Sequence, residues 1–265
     1  MRYGVLSDVH GNLAALRAAV DRLRREGVDG WLCAGDVVGY GPRPNECVEL
    51  LAGLGARCVA GNHELLVLGR LPADRAGRLA RETTPWTRAA LRADSRAWLA
   101  ALPLTYRVPG LTMAHGSPAD PQRYVTQAPQ AVAQLREAGS RLLVLGHTHR
   151  PWLFHETAGT LPLAPDQVST LPATGRLLIN PGSVGQSRQR ERVPRSRFLL
   201  LDLDRDEVRL FVEPYDVAGV RAELRAHGLP RSCIHVPPGR LRAVPRRAAT
   251  LLRIARLRYA RRTEV

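Results

Sequence analysis

Residues 3–12 read Tyr-Gly-Val-Leu-Ser-Asp-Val-His-Gly-Asn, an apolar run that breaks into a polar turn carrying Asp8 and His10. Behind it Leu13, Leu16, Val20 and Leu23 recur at helical spacing, so the unit is strand, turn, helix. Working outward, the same unit returns. Trp31 to Ala34 ends in Gly35-Asp36-Val37-Val38-Gly39, followed by a helix near Glu46 to Leu51. Arg57 to Ala60 ends in Gly61-Asn62-His63-Glu64. Leu111 to Ala114 ends in His115-Gly116, and Leu142 to Leu145 in Gly146-His147-Thr148-His149. Alternating short apolar runs and helical stretches predict an α/β architecture. In such sheets ligands bind beyond the carboxyl ends of the strands. Five strands deliver Asp, Asn or His to that edge.

Each block alone is weak, because Gly-Asp favours turns and a lone His is usually structural. Together they hold five of the eight histidines of the 265-residue chain, and packing gives no reason for that concentration. Metal ligation does. Asp8, His10, Asp36 and His149 would hold one cation. Asn62, His115, His147 and the same Asp36 would hold a second. A shared carboxylate draws two cations to roughly 3.5–4 Å, where a bridging hydroxide forms at neutral pH. Mixed nitrogen and oxygen donors without thiolate suit Mn, Fe or Zn. His63 is left outside the metal set as a proton donor to the leaving oxygen, with Glu64 or a nearby acid to orient it.

Glu64 to Leu102 reads as a helical insert, with Trp86, Leu91, Trp98 and Leu99 as buried anchors, placed to roof the site. Leu104 to Val108 is a further strand. The second half is richer in strands: Trp152 to Glu156, Arg176 to Ile179, Phe198 to Leu203 and Val208 to Val212. Thr157 to Gly175 reads as a long surface excursion between two of them.

Every one of the 39 cationic side chains is Arg, and the formal net charge is +15. Residues 240–265 hold nine Arg against one Glu, so basicity is concentrated at the C-terminus. Ala248, Leu251, Leu252, Ala255 and Tyr259 form one stripe of a helix over 246–262. A helix packed on its own domain or across a homodimer is preferred over contact with nucleic acid or an anionic membrane. The expected organisation is a domain at 1–239 followed by a basic helix or tail at 240–265. No apolar run reaches eighteen residues, and the chain enters a strand at once without signal-peptide character. Cys33, Cys47, Cys58 and Cys233 lack CxxC spacing. A reduced, cytoplasmic protein is expected.

The blocks Asp8-Val9-His10, Gly35 to Gly39, Gly61 to Glu64, His115-Gly116 and Gly146 to His149 resemble the calcineurin-like metallophosphoesterase superfamily across roughly residues 3 to 213. Gly35 to Pro42 with Pro44-Asn45-Glu46, Trp86-Thr87-Arg88 and Asn180 to Gly185 are similar to a small bacterial subgroup. The resemblance implies a four-layer αββα sandwich with two mixed sheets face to face and metals at one sheet edge. It implies Asp8, His10 and His149 on one metal, Asn62, His115 and His147 on the other, Asp36 bridging, and His63 as the acid. The expected activity is hydrolysis of small phosphate mono- or diesters, nucleotide-like in class. A dinucleoside polyphosphate hydrolase is the alternative; a protein Ser/Thr phosphatase and a metal-free binding scaffold rank lower. Asn12, Tyr40 and Arg188 are candidate substrate contacts: Asn12 beside the metal loop, Tyr40 as a stacking ring, Arg188 as a bidentate phosphate donor.

Overall fold

A computed structural model describes residues 1–238. The tail expected at 240–265 lies outside the described residues. One sheet begins with β1 (Arg2–Leu6), β2 (Gly30–Cys33) and β3 (Arg57–Cys58), all parallel, and continues through β11 (Ser196–Asp202), β12 (Glu207–Glu213) and β9 (Val168–Thr170). Its order is β3-β2-β1-β11-β12-β9. The second sheet runs β4-β5-β6-β10-β7-β8. Its members are β4 (Thr105–Val108), β5 (Leu111–Ala114), β6 (Leu142–Val144), β10 (Leu177–Pro181), β7 (Pro151–His155) and β8 (Gly159–Thr160). Strands β5, β6 and β10 are parallel; the outer pairs are antiparallel. Both sheets are mixed, as expected.

The two-residue period of a strand sends neighbours to opposite faces, and the core clusters follow that alternation. Val5, Leu32, Leu199 and Leu201 meet Leu142, Val144, Leu177 and Ile179 between the sheets. The intervening Leu6, Cys33, Phe198 and Leu200 pack outward against Leu16, Val20 and Leu23 of α1 (Leu13–Glu26). In the second sheet Leu143, Leu145 and Leu178 pack outward against Ala131 and Leu135 of α6 (Ala128–Ala138). Strands covered on both faces read as unbroken apolar runs, which is why Leu142 to Leu145 shows no polar alternation. Helix, sheet, sheet, helix is the four-layer sandwich.

Several local expectations need correction. The third strand stops at Cys58, because beyond Val59 the chain turns toward the site and Ala60 N–H donates to Pro103 O instead of a strand partner. The excursion at 157–175 is partly ordered into sheets. It leaves the second sheet as β8 and joins the first as β9, crossing between the two. Helix α6 and helix α7 (Val217–Ala226) were not expected. Each buries only a narrow stripe of small or aliphatic residues, a faint periodic signal. Trp86 and Trp98 are half-buried, whereas Leu91 and Leu99 are buried. The insert comprises α3 (Asn62–Val67), a 3₁₀ turn at Ala73–Arg75, α4 (Arg78–Ala90) and α5 (Ala93–Ala100). Helix α2 (Pro44–Gly53) contacts α5 and α1 outside the first sheet. No helix among the described residues is long and apolar enough to cross a membrane.

Leu199 is fully buried between the sheets. Leu199→Ala should lower unfolding stability by about 2–5 kcal/mol, read as a lower urea midpoint. Val168→Ala, at an exposed position of β9, should leave the midpoint nearly unchanged.

Candidate metal centre

The parallel strands β1, β2, β3, β5 and β6 end at one edge, and the turns beyond them bring the candidate ligands together. Asp8 and His10 follow β1, Asp36 follows β2, Asn62 opens α3 after β3, His115 follows β5, and His147 and His149 follow β6. All seven are buried, none more than 7% exposed. Three groups of buried donors form among the described residues, one of them His10, Asp36 and His63. Of the other two, the first is Asp8, His10 and His149, which offer ligand atoms within 4.8 Å of one another, and the second is Asp36, His115 and His147, which do the same. Asn62 Oδ1 joins the second group, 3.1 Å from His115 Nε2. Asp36 Oδ2 stands 3.1 Å from His115 Nε2 and 3.8 Å from His10 Nε2, so it lies between the two groups.

The backbone reaches these positions at a cost. Among the described residues eight non-glycine residues have positive φ, and six of them are Asp8, His10, Asp36, Tyr40, His147 and His149. Each left-handed residue costs on the order of 1–3 kcal/mol, and such strain concentrates at functional sites. Hydrogen bonds between strand ends hold it: Asp8 N–H to Gly35 O at 3.0 Å and His10 N–H to Asp36 O at 2.9 Å. Two glycines are sterically forced. A Cβ on Gly61 would collide with Asp36 Oδ1, and one on Gly39, at φ 86°, with the His63 ring.

Ring orientation is fixed by backbone carbonyls. His10 Nδ1 faces Val38 O at 3.3 Å, His115 Nδ1 faces Ala34 O at 2.7 Å, and His149 Nδ1 faces Gln186 O at 2.8 Å. A carbonyl can only accept, so each Nδ1 carries a proton and each Nε2 is the nitrogen turned inward, where a cation would take its lone pair. His147 is reversed: Nε2 faces Gln122 O at 3.1 Å, which turns Nδ1 inward. In the first group the result is lone pair against lone pair, with His10 Nε2 3.1 Å from His149 Nε2. In the second, His115 Nε2 lies 3.2 Å from His147 Nδ1 and 3.1 Å from both Asp36 Oδ2 and Asn62 Oδ1, so three acceptors converge on one ring nitrogen. Asp8 Oδ1 is buried with no hydrogen-bond donor. A cation would relieve the His10–His149 repulsion and give Asp8 Oδ1 a partner, and in the second group it would take the place of the His115 proton, so the residues fit metal ions.

The charge balance agrees. Burial would pull the His115 imidazole down, but Asp36 and Asp8 hold it up at about 9. Burial, aided by the charge on His115, pushes His147 down to about 3. Asp8 and Asp36 would be raised by burial; the surrounding imidazoles hold both low. Without cations, the second group keeps its proton on His115.

Two further supports are not evident from composition or spacing. Glu64 does not orient His63. Its carboxylate accepts N–H from Asp36 at 2.8 Å, Gly61 at 2.8 Å and Val38 at 3.1 Å, tying the second and third turns together. Burial and the nearby Asp36 charge raise it to about 7 against the Val38 and Gly61 donors. The block Asn180 to Gly185, at the end of β10, is the other. Asn180 Nδ2 donates to Gly146 O, Ser183 Oγ to Asp8 O, and Gly185 N–H to Asp8 O. It fastens the Asp8 turn to the His147 turn, which no spacing rule signals.

Of the expected substrate contacts, Tyr40 and Arg188 line a cavity of about 530 Å³ over the metal edge, with His63 and Asp36. Asn12 does not line it. Buried, it caps α1 by accepting Ala15 N–H at 3.2 Å and donates to Gly185 O at 2.9 Å. The insert roofs the cavity through Arg75 to Ala80, and Tyr124 closes one side.

A two-sheet sandwich with buried imidazoles and carboxylates gathered at one strand edge defines a metal-dependent hydrolase of phosphoric esters. Residues 1–206 match the model of the calcineurin-like phosphoesterase superfamily domain, and the chain belongs to that superfamily. It is 31% identical over 230 residues to protein MJ0912 of Methanocaldococcus jannaschii, spanning 85% of this chain and 93% of that one. The structure is similar to a metallophosphoesterase from Sphaerobacter thermophilus, with a TM-score of 0.78 and 35% identity over 88% of this chain and 97% of the other. Protein PH1004 of Pyrococcus horikoshii shares the fold at a TM-score of 0.72 and 20% identity, over 88% and 96% of the two chains.

Below pH 9 a cation entering the second group must displace the His115 proton, so Mn²⁺ affinity should strengthen as pH rises toward 9. Calorimetry in buffers of different ionisation enthalpy should register proton release at pH 7, and none would contradict this charge balance. Glu64→Gln places an NH₂ against at least one backbone N–H. It should weaken Mn²⁺ binding about 10–100-fold, measured by competition with a chromophoric chelator.

Proposed function

We propose that this chain hydrolyses small, nucleotide-like phosphate mono- or diesters with two metal ions. Asp8, His10 and His149 hold one ion, Asn62, His115 and His147 the other, and Asp36 both. The observation that carries this reading is the convergence of imidazole nitrogens and buried carboxylates on either side of Asp36, with His10 and His149 opposed lone pair to lone pair and Asp8 Oδ1 left without a donor. When bound, two Mn, Fe or Zn ions supply Lewis-acid charge and acidify water.

The chain's own groups do the rest. Arg188, held by Gln186 Oε1 at 3.2 Å, offers its remaining N–H donors to phosphate oxygens at the cavity wall. Tyr40 packs edge-on against His63, with ring centres 4.3 Å apart, and fixes that imidazole at the cavity floor. His63 Nδ1 is sealed beneath Gly39, so Nε2 is the nitrogen that gives a proton to the leaving oxygen. The insert, with Arg75 and Arg78 on the cavity side, excludes water and selects anionic substrates. Four buried free cysteines support a reducing, cytoplasmic location, and the two sheets packed on a shared core support one catalytic unit over the domain expected at 1–239.

Mn²⁺-loaded protein should hydrolyse p-nitrophenyl phosphate or its bis ester, and chelation or Asp36→Asn should each abolish turnover. His63→Asn should lower kcat about 10²–10⁴-fold while metal content, measured by atomic emission, is retained. Turnover that survives both chelation and Asp36→Asn would overturn the reading.

A further inference from the structure

Beside the catalytic cavity lies a second depression of about 520 Å³, lined by Arg150, Arg188, Arg190, Arg195, Arg197 and Glu191 among others. Five arginines and one glutamate line it, a local net of +4. That carboxylate is already committed. Glu191 accepts from Arg197 Nη2 at 2.8 Å and from Arg195 Nε at 3.1 Å. Arg197 is buried and serves as the floor. Arg150 and Arg190 stand exposed at the wall and form no salt bridge among the described residues. Grouping unpaired cations in a concavity costs repulsion, which an anionic ligand removes.

Arg188 lines both depressions, so the groove and the cavity over the metal edge share one wall residue. Each is large enough for a small ligand, since ligand pockets run from roughly 300 to 1,000 Å³. A lone phosphate monoester would leave the groove empty. Guanidinium forks match phosphate oxygens bidentately, and the groove wall carries no aromatic ring on which a nucleic-acid base would stack.

We propose that the arginine groove is a subsite for further phosphate groups of an extended substrate, Arg188 being the joint between scissile and distal phosphates. The substrate class is then a phosphoanhydride chain with at least one organic end, held across both depressions. This rests on the phosphoesterase reading for its catalytic half; the groove itself binds phosphate chains independently of turnover.

The full-length chain is compared with Arg150→Ala/Arg190→Ala and with Arg24→Ala/Arg25→Ala, which removes the same charge from an exposed part of α1. Calorimetric titration of tripolyphosphate into metal-free protein should give a Kd about tenfold or more weaker for the groove variant, the loss expected of two charge-assisted contacts. The α1 variant should bind like the parent. Equal weakening in both variants would mean diffuse attraction by a basic protein and would overturn the subsite, as would unchanged binding in the groove variant. With excess Mn²⁺, the groove variant should raise KM for diadenosine tetraphosphate at least about tenfold more than KM for p-nitrophenyl phosphate. Equal shifts for the two substrates would also overturn it. Failure of the parent to turn over either substrate strikes the phosphoesterase reading, and the titration then decides the groove.

Discussion

Imidazole nitrogens and carboxylates converge on the floor of one cavity, and that one constraint shapes the rest of this molecule. His10 Nε2 faces His149 Nε2 at a hydrogen-bond separation with no proton to share, and His115 Nε2 faces His147 Nδ1 with a single proton that a cation would displace. Rings left to themselves would rotate apart or take up protons. Here the outer nitrogens are bound to backbone carbonyls, so rotation would break a bond in each of four places. The carbonyls belong to turns, and the turns belong to strand ends. Ligand orientation is therefore only as rigid as the sandwich beneath it.

Rigidity of that kind requires the core to be large relative to the strain it carries. Five of the proposed ligands sit in left-handed backbone, at on the order of 1–3 kcal/mol each. Hydrophobic burial of a single Leu contributes about 1.5–3 kcal/mol, and the two sheets bury such residues on both faces. The sandwich tolerates the strained edge because its strands are covered twice. Glu64 and the Asn180 to Gly185 block add local restraint, the first by gathering three N–H donors and the second by bolting the two halves of the edge together.

The strand-end blocks were legible because they break a strong apolar pattern at a fixed place. Asp8, Asp36, Asn62, His115 and His149 stand out for that reason, and the structure brings them together at one edge. Other features had no local signature. Glu64 looks like one more acid on a helix, and only its three backbone partners reveal what it holds. Asn12 looked exposed to chemistry beside His10, yet its amide is consumed in capping a helix and bracing Gly185. Helix α6 hides its stripe among Ala and Gln, where small residues give a weak period. Chain crossing at 157–175 depends on pairing with β12, forty residues away, which no window of sequence contains.

The site separates two tasks by origin in the chain. Ligand-bearing turns come from β1, β2, β3, β5 and β6, and their geometry is dictated by sheet order. The walls come from elsewhere: Arg75 to Ala80 from the insert, Tyr124 from the loop before α6, Arg188 from the loop after β10. Loop residues can change without disturbing strand register, whereas a shift in β1 by one residue would exchange its inward and outward faces. Chemistry is thus fixed by the fold, while specificity is free to vary on it. The arginines beside the cavity belong to the variable part. Arg195 and Arg197 are tied to Glu191 and brace the wall, whereas Arg150 and Arg190 form no salt bridge among the described residues and are the positions at which the wall can vary without loosening the sandwich.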